Sequence, residues 1–259
     1  QEWGPLVVFH NTGQQLQQRP VSSLTGWWSA LAVADLNGDG RLDVVAGNTG
    51  LNTKYQASPD EPALLYAGDF DGTGKTHLLE AYYEQGRPLP VRGRSKLAYA
   101  FPWLPRKFPT YRAFAEASLP ELFGPERLQR VRRYAATELG SGVFFQQADG
   151  SFQFQRLPSE AQLAPIHAIV VADFDRDQHL DLLCVGNHFG PEPTTGRFDG
   201  GVGLVLRGDG RGGFKALAAV ESGLLVTGEA RSAVMIEGKV RSVAVARSEG
   251  PLLLFRLRK

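Results

Sequence analysis

Three short stretches of this chain place oxygen-bearing side chains on alternate residues. The first is Asp35, Asn37 and Asp39, the second Asp69, Asp71 and Thr73, and the third Asp173, Asp175 and Asp177. Alternate residues of a tight loop point to one centre. A hard divalent cation that takes about six to eight oxygens is what such a centre holds. A backbone carbonyl two residues further on adds an oxygen, from Arg41, Lys75 and His179 in turn. Asp43 and Asp181 then close the first and third loops with a last carboxylate. Calcium is the expected ion in both. The middle loop is weaker, because His77 stands at the closing position and is a poor calcium ligand; Glu80 is the candidate substitute. A third ion there depends on that substitution. Gly38 and Gly40 let the first loop turn tightly, and Gln178 stands where the third loop would have the second glycine. The plain alternative is an empty Asp/Gly hairpin turn, but four carboxylates packed without a cation repel one another.

Strands must hold these loops. The sequence repeats strand, acidic loop and strand over 32–48 and 170–187, and more weakly over 66–79. Repeated units of this kind mean blades or a solenoid. Short runs rich in β-branched or large apolar residues predict strands at 6–9, 31–36, 42–46, 63–67, 77–83, 142–146 and 152–156. The same signal recurs at 167–172, 180–185, 202–207, 214–217, 232–236, 241–246 and 252–257. One region breaks the pattern. Ser118-Leu-Pro-Glu121 reads as a helix-capping box. Pro125 opens a helix expected to run to about Ala136, with Leu128 and Val131 on its apolar side and Gly140 as its stop. A further short helix is expected over 110–117, so 105–140 reads as a helical insertion between strands.

Composition agrees with an all-β chain. At 259 residues it suits one barrel or propeller, and 42% hydrophobic with 21% charged residues excludes disorder. The 30 glycines and 16 prolines imply many turns. No stretch approaches the ~20 apolar residues of a membrane span. The single Cys184 excludes an internal disulfide and a cysteine-rich metal site. No signal peptide is visible and Gln1 is not a native start, so a mature or cut chain is expected. The net charge is +1, but residues 87–133 carry 11 Lys/Arg against 3 Glu, an excess of +8 that leaves −7 for the remainder.

Several motifs resemble chemistry without its context. Gly72-Thr-Gly-Lys-Thr76 has Asp69 where a phosphate loop needs its first glycine, and a strand follows where a helix should. Gly208-Asp-Gly-Arg-Gly-Gly213 also leads into a strand and reads as a hairpin turn, not a dinucleotide site. His10, His77, His167, His179 and His188 form no zinc or triad pattern. Cys184 reads as a small buried hydrophobe, and Trp27 and Trp28 as core packing. No nucleic-acid module accompanies the basic segment, so no nucleic-acid partner is expected.

The D-x-[DN]-x-[DGT] loops between strands resemble FG-GAP/VCBS repeats, the blades of integrin-type β-propellers. Gly26-Trp-Trp, Asp35-Leu-Asn-Gly-Asp-Gly and Gly47-Asn-Thr-Gly-Leu-Asn52 resemble more closely the Bacteroidetes VCBS-repeat proteins with ASPIC/UnbV (cartilage acidic protein-like) regions. Lys107-Phe-Pro-Thr-Tyr111, Glu121-Leu-Phe123, Gly196-Arg-Phe-Asp199 and Ser222-Gly223 follow that group in the same order. The resemblance implies a bacterial, secreted, periplasmic or cell-surface β-propeller that bears calcium at the three loops and serves in binding or scaffolding. His77 and Gln178 depart from its pattern. It supplies no catalytic residues.

The expectation is one domain over 1–259, with four to five blades counted from the strands. An incomplete ring of that size exposes strand edges and favours self-association. The expected function is a calcium-stabilised, non-enzymatic module for a protein or glycan ligand of unknown identity. One rival is a carbohydrate-active propeller enzyme using Glu80, Glu84, Glu192 or Glu229. The other is a glycan- or anion-binding module acting through 87–133.

Overall fold

The computed structural model describes residues 2–191 and 195–257. Glu192 therefore lies outside the described residues. The chain opens with β1 (Glu2–Asn11) and β2 (Leu16–Trp27), then β3 (Ala30–Ala34) and β4 (Asp43–Gly47). Next come β5 (Ala63–Gly68), β6 (His77–Glu84) and β7 (Arg87–Pro90). Five short helices follow: α1 (Arg94–Ala100), α2 (Leu104–Lys107), α3 (Tyr111–Ala115), α4 (Leu119–Phe123) and α5 (Pro125–Arg130). After them come β8 (Arg132–Ala136), β9 (Gly142–Gln146), β10 (Phe152–Arg156), β11 (Ile166–Ala172) and β12 (Asp181–Gly186). The chain finishes with β13 (Leu204–Gly208), β14 (Phe214–Leu217), α6 (Ala219–Ser222), β15 (Ala230–Ile236), β16 (Ser242–Arg247) and β17 (Leu253–Arg256).

These elements divide into two compact units. One contains residues 1–23, 27–54 and 139–259, and the other 24–26 and 55–138. In the first unit β1 and β2 form a two-stranded sheet. Two four-stranded sheets have the orders β10-β9-β4-β3 and β11-β12-β13-β14, and a three-stranded sheet has the order β15-β16-β17. The pairings within these last three sheets are antiparallel. The sheets are separate among the described residues, and none closes on itself.

The pairing of β4 with β9 is the main topological fact. Val45 lies opposite Val143, although almost 100 residues separate them in sequence. The chain leaves one sheet after β4, builds the second unit, and returns to the same sheet at β9.

Strand alternation explains the core of the first unit. Leu182 and Cys184 of β12 face a cluster with Val45, Val143 and Leu206. Leu183 and Val185 face the opposite way, into a cluster with Val243 and Val245. Both faces of β12 are covered, so its sequence reads as a continuous apolar run rather than an alternating one. Burial pushes the Cys184 thiol up to about 12, and it is an inert core group. Trp28 is buried against Phe144 and Phe154, with ring centroids 5.6 and 6.3 Å away, and its indole N–H donates to the Gly4 carbonyl.

The second unit has its own core beneath the sheet β7-β6-β5-β8. Phe70, Phe101 and Phe123 meet edge-on or tilted at 4.9–5.6 Å. The Glu121 carboxylate accepts from the Ser118 N–H and hydroxyl, both at 2.6 Å, so the expected capping box opens α4. Helix begins earlier than position 105, at Arg94, and ends at Arg130 instead of near Ala136. Residues 132–136 pair with β5 instead, Ala136 opposite Ala63. Ala136 is fully buried in that pairing.

Candidate metal centre

The three acidic loops join β3 to β4, β5 to β6, and β11 to β12. Each is fastened by the residue after its first aspartate. Leu36 and Phe70 are buried there, and Phe174 packs against the core in the third loop. The first aspartate then acts as a hub for backbone N–H groups. Asp35 accepts from Gly38, Asp39 and Gly40 at 2.8–3.1 Å. Asp69 accepts from Asp71, Gly72, Thr73 and Gly74 at 2.7–3.2 Å. Asp173 accepts from Arg176 and Gln178 at 2.6 and 3.0 Å. The Gly40 N–H foremost holds the Asp35 carboxyl below the usual carboxylate range, and the Gly74 N–H does the same for Asp69.

The third loop best fits a cation. One carboxylate oxygen from each of Asp173, Asp175 and Asp177 lies within 4.8 Å of the other two. Three hard oxygens at that spacing match the donor chemistry of calcium. Arg207 Nε sits 2.7 Å from Asp175 Oδ2 and already balances part of that charge. In the first loop Arg41 pairs with Asp39, and the Asn37 side chain both donates to and accepts from Asp39. In the middle loop the Thr73 hydroxyl donates to Asp71 at 2.7 Å, and Lys75 is exposed. His77 opens β6, and its ring packs 4.9 Å from that of Phe101. It therefore serves the aromatic core of the second unit. Glu80 lies on β6 with Arg92 3.7 Å away.

Asp43 and Asp181 close their loops as the spacing indicates, but they also make backbone contacts that spacing did not indicate. Both are buried at the first position of a strand. Asp43 accepts from the Leu36 and Gln146 N–H groups, each at 3.0 Å. Asp181 accepts from Phe174 and Gly208, each at 2.9 Å. Each carboxylate thus ties its own loop to the neighbouring strand, β9 or β13. Burial raises both carboxyls above their ordinary value.

The Gly-Asn pair that closes both repeats, Gly47-Asn48 and Gly186-Asn187, has a structural role that the sequence alone did not assign. Both asparagines are buried. The Asn48 side-chain oxygen accepts from the Trp27 N–H at 3.1 Å. Asn187 donates to Gly201 and Gly228 at 2.7 and 2.9 Å and accepts from the Gly201 N–H at 2.9 Å. The recurrence of Gly-Asn at the same place in both repeats was the available signal.

The loops also share their backbone. Gly38 and Gly40 have φ of 74° and 82°, and Gly72 and Gly74 have 77° and 80°. The third loop adopts the same left-handed conformations with Arg176 at 70° and Gln178 at 71°. A side chain there costs about 1–2 kcal/mol, partly offset by the greater unfolded-state freedom of glycine, ~0.5–1 kcal/mol. The double variant Arg176→Gly, Gln178→Gly should therefore be more stable by about 1 kcal/mol. An unchanged or lower urea midpoint would show that these side chains relieve the strain through contacts of their own.

Gly208–Gly213 is the β13–β14 hairpin, with Asp209 accepting from Arg211 and Gly213 at 2.8 Å, and no helix follows it. No curated protein matches the chain. Residues 27–58 match the FG-GAP repeat, a stretch that runs through β3, the first acidic loop and β4, so an integrin-like repeat stands where the alternating carboxylates do.

Proposed function

We propose that this protein is a calcium-stabilised binding or scaffold module of propeller-type blades, working outside the cytoplasm and without catalysis of its own. The observation that carries this reading is the convergence of Asp173, Asp175 and Asp177 on one centre. It occurs in a loop whose form recurs within the FG-GAP stretch. A calcium ion held there would offset the repulsion among the three carboxylates and fix the turn between β11 and β12. Asp35, Asn37 and Asp39 would hold a second ion in the same way. The separate four-stranded sheets support blades as the building unit. FG-GAP repeats are typical of extracellular proteins, and no helix among the described residues is long and apolar enough to cross a membrane.

Thermal unfolding with calcium and with chelator, alongside elemental analysis, tests the reading. Calcium at about a hundred times its dissociation constant adds ~2.7 kcal/mol per site. At about 2–4 °C per kcal/mol for a chain of this size, the midpoint should rise by roughly 5–10 °C for one site and about twice that for two. No rise and no bound metal would overturn it.

The separation of the acidic residues weighs against the glycosidase rival. Glu80 and Glu84 lie four residues apart on β6, which places them about 13 Å apart along the strand. Paired glycosidase carboxylates stand at ~5–9.5 Å. Exposure of Arg106, Arg112, Arg127, Arg130, Arg132 and Arg133 in the second unit favours a second reading, anion or glycan binding by 87–133. Binding of a sulfated polysaccharide that weakens steeply with salt would support it.

A further inference from the structure

At the other ends of β11 and β12 from the acidic loop, four polar side chains of the first unit come together. His167 lies at the start of β11, His188 just past the end of β12, and Glu229 and Arg231 at the start of β15. Glu229 is the anchor. Its side chain is 12% exposed, and Oε1 accepts from the Phe189 N–H at 3.4 Å and pairs with Arg231. The same oxygen is 3.0 Å from His188 Nδ1. The His188 ring is thus held from its Nδ1 side, where the Arg231 guanidinium also lies. The main chain of His188 is held by paired hydrogen bonds to Phe198 of 2.8 and 2.9 Å.

Gly190 lies against the His188 ring on its Cε1–Nε2 side. Its φ is not in the left-handed region, so its backbone does not require glycine. A Cβ at this position would lie 3.1 Å from His188 Cε1 and 3.3 Å from Nε2. Arg231 Nη1 lies 3.2 Å from His167 Nε2, which must accept, and Nη2 lies 3.1 Å from His188 Nδ1. The Arg231 guanidinium is nonetheless 43% exposed. Arg197 stacks 5.2 Å over Phe189, and Arg247 donates to the Thr227 carbonyl near Gly228. Among the described residues, Glu229 and Arg231 are the charged groups against the His188 ring. Burial first, and Arg231 next, push His167 down to about 4, so it stays neutral at physiological pH.

We propose that the His188 imidazole and the Arg231 guanidinium form a binding site for a small oxyanion or carboxylate. An imidazole N–H beside a guanidinium offers two donors to an anionic oxygen. The proposal deepens the binding-module reading but uses no residue of the acidic loops. Its failure would leave the calcium result standing, and the reverse also holds.

The test is an NMR titration of the histidine imidazoles in the whole protein at constant ionic strength, with sodium sulfate in one arm and sodium acetate in another. Saturable shifts at His188, assigned through His188→Gln, are expected in at least one arm. Arg231→Gln should abolish them. Gly190→Ala leaves the ion pair in place but crowds Nε2, and should weaken them by about tenfold. The arm that saturates first distinguishes a sulfate- or phosphate-like ligand from a carboxylate. Shifts that grow linearly to about 100 mM, or that are the same in Gly190→Ala as in the parent, would overturn the proposal and leave the cluster as a structural stitch between β12 and β15.

Discussion

Replacing Gly186 with alanine should destabilise the protein by about 4 kcal/mol or more, the upper end of single-substitution effects. Gly186 ends β12 opposite Ile166. A Cβ there would stand 1.7 Å from the Pro165 carbonyl oxygen and 2.7 Å from its carbon. Both atoms are backbone, so no rotamer change relieves the contact. The start of β11 would have to move, and with it the hydrogen bond of 3.0 Å from the Asn187 N–H to Pro165. Gly47, its counterpart in the first repeat, has a milder conflict, 2.5 Å to the Ile166 oxygen. Gly238 meets only the Val240 oxygen at 4.0 Å. Urea midpoints should therefore fall in the order Gly186→Ala, Gly47→Ala, Gly238→Ala, with the last within about 0.5 kcal/mol of the parent. If Gly186→Ala unfolds no more readily than Gly238→Ala, β11 and β12 do not approach as closely at this end.

The same positions show what a linear reading can and cannot carry. The strands expected from apolar runs bounded by turn residues all appear, because short buried strands announce themselves through Val, Leu, Ile and Phe. β2, β7 and β8 gave no such signal. β2 is LQQRPVSSLTGW, mostly polar with a proline inside, and β7 is RPLP. β8 is RRYAA, which an expected helix over 125–136 had absorbed. These strands exist through pairing, and pairing is a property of the partner. The return from β4 to β9 is a tertiary fact of the same kind, since nothing in Val45 names Val143. In the acidic loops the spacing placed the aspartates correctly around each turn but did not separate hubs from staples. Asp43 and Asp181 differ from Asp39 and Asp177 by standing directly before a run of buried residues. That neighbourhood, more than loop position, turns a carboxylate inward.

Asp181→Ala should accordingly lower stability by about 2–4 kcal/mol in chelator as well as in calcium, whereas Asp177→Ala should lower it in calcium alone. The Asp181 side chain is buried and gives both oxygens to backbone N–H groups, Phe174 and Gly208. Alanine leaves two buried donors without partners at about 1–3 kcal/mol each, and removing a desolvated charge returns part of that. The sign with pH follows from the same burial. Because the folded-state carboxyl lies above its ordinary value, the folded protein binds its proton more readily than the unfolded chain does. This contribution favours folding below the ordinary aspartate value, ~3.9, and is lost as pH rises through the folded-state value. Near neutral pH the two N–H bonds work against that cost. Asp177 is exposed, and the hydrogen bond its carboxylate accepts is from the His179 N–H at 2.9 Å. Without an ion, its removal also relieves repulsion with Asp173 and Asp175, so in chelator Asp177→Ala should unfold at or slightly above the parent midpoint. With calcium it loses a ligand, and the third loop's share of the calcium-induced rise, roughly 5–10 °C, should be lost while the first loop's share remains. Unfolding midpoints of the three proteins in the two conditions separate the roles. An Asp177→Ala protein that keeps the full calcium shift would remove the third loop from the calcium account, and an Asp181→Ala protein as stable as the parent in chelator would show that the buried carboxylate is no staple.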